Sequence, residues 1–198
     1  MKKIEEEIRN SWFGDHEAEY IEINDRISVL NWREPGTVTY SVRYVFDGCY
    51  LYISGDLGEA VFSLTWTGTP ESFKDINLGY FHSKIAAYPG DKYDFSRKKA
   101  KDSLQEEIDY AAEGFDLGEV ADEYFEILEE MKKLADDCNN SHEWAARITY
   151  QTDLFDRLQK YNNDCWEWIY GIGDVIPTRV RAYLIGLKMA AEQLESGS

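Results

Sequence analysis

The hydrophobic pattern of the chain changes close to Pro70. Between Tyr20 and Trp66, apolar residues occur in short β-branched and aromatic runs separated by turn residues, which is typical of strands. After Pro70 they recur at helical spacing. One change from strands to helices does not fit the regular alternation of an α/β fold. The sequence therefore predicts an α+β fold, with an N-terminal helix and an antiparallel β-meander of about four or five strands followed by a C-terminal helical bundle.

Asp47 and Gly48 give the strongest turn signal of the predicted meander. They separate the runs VRYVF and CYLYIS, and an Asp-Gly pair favours the type I′ turn, whose two central residues need positive φ. A short amphipathic helix over Lys3–Phe13, ending at Gly14, precedes the strands. Residues 1–95 are therefore predicted to form a helix-plus-sheet region.

Residues 96–195 are predicted to form an acidic helical region, and residues 196–198 a flexible tail. Ser96 is suited to cap the first helix and Gly114 to end it. The predicted helices cover Arg97–Glu113, Gly118–Asp137, Glu143–Gln159 and Thr178–Leu194.

The composition is that of a folded protein that stays in the cell that makes it. In 198 residues the hydrophobic fraction is 43% and the aromatic fraction 15%, which argues against general disorder. Cys49, Cys138 and Cys165 lack metal-ligand spacing, and their odd number favours reduced thiols. We find no apolar run typical of a signal peptide or a membrane span. We expect a cytoplasmic protein that does not bind a membrane.

Negative charge is concentrated in one part of the chain. The sequence has 38 Asp and Glu residues against 21 Lys and Arg, a formal net charge of −17. Residues 101–140 alone contain 14 acidic and 3 basic residues, which gives −11. Such a field repels nucleic acid and attracts basic surfaces. We therefore expect a basic protein as the partner, with no direct binding to nucleic acid.

The helix predicted over Gly118–Asp137 has an acidic face opposite its apolar stripe. Carboxylates three or four residues apart on a helix lie about 6 Å from each other, broadly like successive phosphates. They repel one another by a few tenths of a kcal/mol per pair. The face either mimics nucleic acid in the basic groove of a partner or only solubilises the protein. The candidate partner-binding residues are Glu119, Asp122, Glu123, Glu126, Glu129 and Glu130.

Asp56 lies between Gly55 and Gly58 at a predicted corner. It could serve a small carboxylate-dependent hydrolase as a base, or it could shape a tight turn, since Asp binds its own backbone there. No second carboxylate or histidine stands at a spacing that would complete a site, so the structural interpretation is favoured. The sequence predicts no catalytic residue, metal or cofactor.

The segments VRYVFDGCYLYISGDLGEAVFSLTW and NLGYFHSKIAA, within Val42–Ala87, resemble small acidic proteins encoded by phages and prophages of Firmicutes. That group includes anti-CRISPR inhibitors of the type II RNA-guided nuclease. The resemblance implies a phage-encoded anti-CRISPR protein that binds this nuclease and blocks DNA binding or cleavage. The alternatives are the hydrolase and a phage or host interaction module with no inhibitory role.

Overall fold

Six antiparallel strands follow one another along the first part of the chain in the computed structural model, which describes residues 2–114, 120–151 and 153–197. Each strand pairs with the next, so the sheet is a meander in the order β1 to β6. The α+β prediction is confirmed. The strands are β1 Glu17–Glu22, β2 Ile27–Arg33, β3 Val42–Asp47, β4 Tyr50–Gly55, β5 Ala60–Ser63 and β6 Ile85–Ala87.

The α-helices are α1 Lys2–Glu7, α2 Leu78–Ser83, α3 Arg97–Gly114, α4 Val120–Asp136, α5 Ser141–Ala146, α6 Leu154–Gln159 and α7 Thr178–Ser196. Two further strands, β7 Asp94–Phe95 and β8 Asp174–Val175, pair antiparallel. A π-helical turn at Ile8–Trp12 continues α1 up to the predicted stop.

The chain divides into two units, each with its own hydrophobic core. Residues 1–92 and 176–198 form the first, here called the sheet unit, and residues 93–175 form the second, the helical unit. None of the helices in the described ranges is long and apolar enough to cross a bilayer.

The predicted turn between β3 and β4 forms, but its central residues are Gly48 and Cys49, not Asp47 and Gly48. The type I′ prediction is wrong, because Asp47 belongs to the strand and Cys49 does not have positive φ. Asp47 pairs with Tyr50 at the end of the β3–β4 ladder, and Gly48 has a φ of 58°. The Arg26 side chain makes an ion pair with Asp47, and the Gly48 N–H donates to the Arg26 carbonyl at 3.1 Å. The turn is therefore connected to the neighbouring end of β2.

Strand β6 occupies a segment that was predicted to be helical. Of the residues after Pro70, only Pro70–Phe73 and α2 form helical turns before Ile85 pairs with Phe62 of β5. The three residues of β6 are too few to show the alternating pattern of a strand in the sequence. Their extended conformation depends instead on pairing with β5.

The inner face of the sheet packs on α7. Along β3, Val42, Tyr44 and Phe46 alternate inward and are buried, as the period of two requires. Tyr44 donates a hydrogen bond through its hydroxyl to the Tyr183 carbonyl of α7 at 2.9 Å. Gly186 lies directly below the Tyr44 hydroxyl and the Trp32 ring, so α7 approaches the sheet closely.

The last helix therefore belongs with the sheet, whereas the predicted region 96–195 included it with the acidic helices. Its residues from Val180 to Leu187 are all buried, because α1, α2 and β1 also contact it. A helix that is covered on several sides loses the one-sided stripe that would have indicated its partner in the sequence.

The Gln193 side chain of α7 binds the backbone of the segment that begins β1. The Ala18 N–H donates to Gln193 Oε1 at 2.6 Å, and Gln193 Nε2 donates to the His16 carbonyl at 3.3 Å. Strand β1 lies at the edge of the sheet, so this amide satisfies backbone groups that lack a neighbouring strand.

The helical unit packs around Trp144, which is fully buried and donates through Nε1 to the Ile169 carbonyl at 2.7 Å. The single helix predicted over Glu143–Gln159 is instead α5, a π-helical turn at Arg147–Gln151, and α6. Asp153 precedes α6 at its N-cap position, but its side chain makes no capping hydrogen bond and lies 3.7 Å from Arg157 Nη1 instead.

His16 gives an expected pH dependence of folding. Its side chain is only 5% exposed, and burial lowers the pKa below 6.5, against the opposing effects of the Tyr40 carbonyl and the Glu34 and Asp15 carboxylates. The neutral form is favoured in the folded state, so this contribution to stability is present above the unfolded pKa and is lost as the pH falls through the folded one.

Urea unfolding at about pH 7.5 and about pH 5 measures this effect. The wild type is expected to lose more unfolding free energy between the two conditions than His16→Asn, which cannot titrate. Equal losses in both proteins would assign the acid sensitivity to other groups.

Candidate functional site

Helix α4 has one buried side, as its pattern predicted. Tyr124, Ile127, Leu128 and Met131 are 0–5% exposed and lie at intervals of three and four residues. This stripe packs into the core of the helical unit. The packing fixes the orientation of the helix, so that its opposite side faces the solvent.

Five of the six predicted carboxylates lie in the described part of the chain, and all five are exposed. They are Asp122, Glu123, Glu126, Glu129 and Glu130. Glu119 lies outside the described residues. Helix α4 thus brings the described members of the predicted set to one surface, here called the acidic face.

Two of these carboxylates are partly neutralised by α6 and the turn after it. Glu130 binds both terminal nitrogens of Arg157, at 3.1 and 3.3 Å. Glu123 accepts a hydrogen bond from the Tyr161 hydroxyl at 2.6 Å, and this bond raises the pKa of the tyrosine. These contacts reduce the unpaired negative charge of the acidic face on the side next to α6.

A second group of contacts comes from α3 and from α4 itself. Lys132 binds Glu129 at 2.8 Å and Gln105 of α3 at 2.6 Å, and Lys101 binds Asp136 at 2.6 Å. The sequence did not indicate Lys101 or Arg157 as partners, because each pairs with a residue far away in the chain. No local spacing signals such a pair.

Asp122 and Glu126 form the unpaired centre of the acidic face. Within residues 2–114, 120–151 and 153–197, neither carboxylate has an ion pair or a side-chain hydrogen bond. They are four residues apart, so they are neighbours on the helix surface about 6 Å from each other. Glu129 extends this row but shares its charge with Lys132.

The helical unit concentrates the negative charge of the protein. Residues 93–175 contain 21 Asp and Glu against 9 Lys and Arg, a net charge of −12, whereas the sheet unit has 17 against 12, or −5. The potential that attracts a basic partner is therefore strongest around the unit that presents Asp122 and Glu126.

Asp56 holds a backbone turn. Its Oδ2 accepts a hydrogen bond from the Tyr40 N–H at 2.8 Å, and Tyr40 has a φ of 54°. Gly55 and Gly58 have φ values of 135° and 97°, which favour glycine. The carboxylate thus has a structural role, but it fixes the loop before β3 and does not bind its own turn as the sequence suggested.

Histidines do not assemble a metal site with Asp56 in the part of the chain that the structure describes. His16 and His82 each contact a backbone carbonyl, of Tyr40 and Lys92 respectively. No three His, Cys, Asp or Glu side chains in the described ranges are grouped to hold a metal ion.

No family model, curated protein or solved structure matches this chain. The resemblance to phage-encoded inhibitors therefore remains a prediction from Val42–Ala87, and the acidic face is interpreted from its own geometry.

Proposed function

We propose that the protein is a non-enzymatic inhibitor that binds a basic nucleic-acid-handling protein through the acidic face of α4. The partner we propose is the type II RNA-guided DNA nuclease in the cytoplasm of the bacterial host. The observation that carries the proposal is that Asp122 and Glu126 are exposed and have no ion-pair partner among the described residues, on a packed helix of a unit with a net charge of −12.

The geometry of the acidic face suits a cationic groove. A helix with one buried side holds its exposed carboxylates at fixed spacing, so little backbone conformational entropy is lost on binding. An RNA-guided nuclease holds its guide–target duplex in a positively charged channel and reads the flanking motif with arginines. Carboxylates on such arginines form charge-assisted hydrogen bonds, and the opposite charges accelerate association. Occupation of the channel blocks DNA binding and hence cleavage.

Mixing the protein with the guide-loaded nuclease tests the proposal. The triple variant Asp122→Asn, Glu126→Gln, Glu129→Gln is expected to bind at least about tenfold more weakly at low salt and to lose inhibition of target cleavage. Binding of the wild type should itself weaken as salt rises, because salt screens exposed charges.

A control with the same change in net charge separates local contact from general electrostatics. Glu6→Gln, Glu7→Gln, Asp75→Asn neutralises three exposed carboxylates of the sheet unit and is expected to retain most of the affinity. Circular dichroism checks that both variants fold. Full inhibition by the folded acidic-face variant would overturn the proposal.

Arg157→Gln is expected to strengthen partner binding by a few fold. The substitution frees the Glu130 and Asp153 carboxylates from their shared guanidinium partner, and the release of Glu130 widens the acidic face. Because the ion pair is partly exposed, with 22% and 47% of the two side chains accessible, the stability cost is about 1 kcal/mol or less.

Lys160→Gln is the matched control for Arg157→Gln. Lys160 is exposed at the end of α6, so its loss changes the net charge equally without releasing Glu130. Association rates measured for both variants distinguish the effects. Equal rates would exclude Glu130 from the contact surface.

A further inference from the structure

We propose that the sheet unit contains a binding site for a phosphate group, in a small cavity where Arg181 and Lys188 converge. The cavity has a volume of about 160 Å³ and lies between α1, the start of α2, and α7. This inference is independent of the proposed inhibitory function. The charged residues that line the cavity are Arg9, Arg181, Lys188 and Glu5.

Arg181 is buried with most of its hydrogen-bonding capacity unused. The residue is 9% exposed, and its ion pair in the described chain joins Nη1 to Glu5 Oε1 at 3.4 Å. A guanidinium has five N–H donors, and burying them without partners is costly. The one fully buried side-chain nitrogen or oxygen without a partner in the described ranges is Trp32 Nε1. No Arg181 nitrogen is both fully buried and unpartnered, so its remaining donors keep some accessible surface, and Arg181 lines the cavity.

Lys188 adds a second donor from the same face of α7. It lies seven residues after Arg181, which is two helical turns, and Leu184 and Ile185 form the apolar wall between them. Lys188 is half-buried and has no ion pair within the described residues. Arg9, at the rim, is already paired with Glu192 at 3.5 Å.

The charge and size of the cavity define the ligand class. Arg181 is paired with Glu5 and Arg9 with Glu192, so Lys188 leaves one net positive charge at the cavity. The lining therefore favours an anion even though the whole protein is acidic. Distant negative charges are screened beyond about 8 Å at physiological ionic strength, whereas Arg181 and Lys188 act at contact distance. Sites for drug-sized ligands usually exceed about 300 Å³, so this cavity suits one phosphate group and excludes a whole nucleotide.

Phosphate matches these donors better than a carboxylate does. Its oxygens can accept two parallel bonds from a guanidinium fork and a third from an ammonium group. The group can come from free inorganic phosphate or from a phosphate ester. Both sources present the same terminal oxygens to Arg181 and Lys188.

The test is a titration of the full chain with sodium phosphate, O-phosphoserine or sodium acetate. Amide and arginine side-chain NMR signals report binding, and sodium chloride of equal ionic strength is the control. Inorganic phosphate is expected to give saturable shifts confined to the cavity residues. Tighter binding of O-phosphoserine than of inorganic phosphate assigns an ester source, and weaker binding assigns the free ion. Acetate binding as tight as phosphate would overturn the ligand class.

Lys188→Gln is expected to weaken phosphate binding about tenfold, the loss of one charge-assisted hydrogen bond. Lys92→Gln, which removes an exposed lysine elsewhere in the sheet unit, should leave it unchanged. Arg181→Gln should abolish it, but this buried position could affect folding, so the lysine pair decides the outcome. Equal binding by the two lysine variants, or no saturable shift in the wild type, would overturn the site.

Discussion

Replacing Gly186 by alanine is expected to lower the free energy of unfolding by about 2–4 kcal/mol, although alanine is the better helix former. In an exposed helix the same substitution stabilises by about 1 kcal/mol. The expected sign is reversed here because the helix backbone lies against the sheet without space for a methyl group.

A Cβ atom at Gly186 would collide with buried aromatic side chains of the sheet unit. A Cβ atom at this position would be 2.5 Å from the Tyr44 hydroxyl and 3.1 Å from Trp32 Cδ1. Both aromatic side chains are buried in the sheet unit. Moving Tyr44 would also break its hydrogen bond to the Tyr183 carbonyl, which adds about 1 kcal/mol to the cost of overpacking.

Urea unfolding of Gly186→Ala measures this loss, and Gly79→Ala in α2 is its control. A Cβ on Gly79 would meet only Asn77 Oδ1, at 3.5 Å, so this variant is expected to be neutral or up to about 1 kcal/mol more stable. A Gly186→Ala protein as stable as the wild type would show that α7 does not approach the sheet this closely.

Trp144→Ala is expected to destabilise the helical unit by about 3–5 kcal/mol, the usual cost of truncating a buried tryptophan. The side chain is fully buried and stacks on Phe95 with ring centroids 6.0 Å apart. Truncation creates a cavity and leaves the Ile169 carbonyl without its indole donor.

Trp166→Ala is the matched control, because Trp166 is in the same unit but 55% exposed. We expect it to change the unfolding free energy by no more than about 0.5 kcal/mol. Trp144→Phe separates the cost of the cavity from the cost of the lost hydrogen bond, since it retains part of the ring volume and removes the indole donor. Similar stability of Trp144→Ala and Trp166→Ala would contradict the assignment of Trp144 to the core.

Features set by neighbouring residues could be predicted from the sequence. A turn between β3 and β4 follows from the Asp47-Gly48 dipeptide, although its central residues are Gly48 and Cys49. The Ser96 hydroxyl accepts from the Lys99 N–H as a helix cap should. The buried stripe of α4 follows from helical periodicity. The same periodicity placed the described carboxylates on the exposed side, so the candidate surface was predictable.

Features set by distant residues could not be predicted. Arg157 and Lys101 neutralise parts of the acidic helix from other segments of the chain, and only folding reveals these pairs. Arg181 and Lys188 flank an apolar wall within a mostly buried helix. Two basic residues in such a helix were the one sequence signal for a ligand or an ionic partner at this position, because burying an unpaired cation is costly. The assignment of α7 to the sheet likewise depends on contacts with residues more than a hundred positions earlier, such as Tyr44.

The Gln193 amide at β1 affects how readily copies of the protein associate through this strand at high concentration. A bare outermost strand offers a template on which a foreign chain can add itself, the first step towards fibres. Here a side chain of the protein's own last helix already holds the Ala18 N–H and the His16 carbonyl. Together with the glutamates of that strand, it discourages recruitment at this margin and helps the protein to remain dispersed.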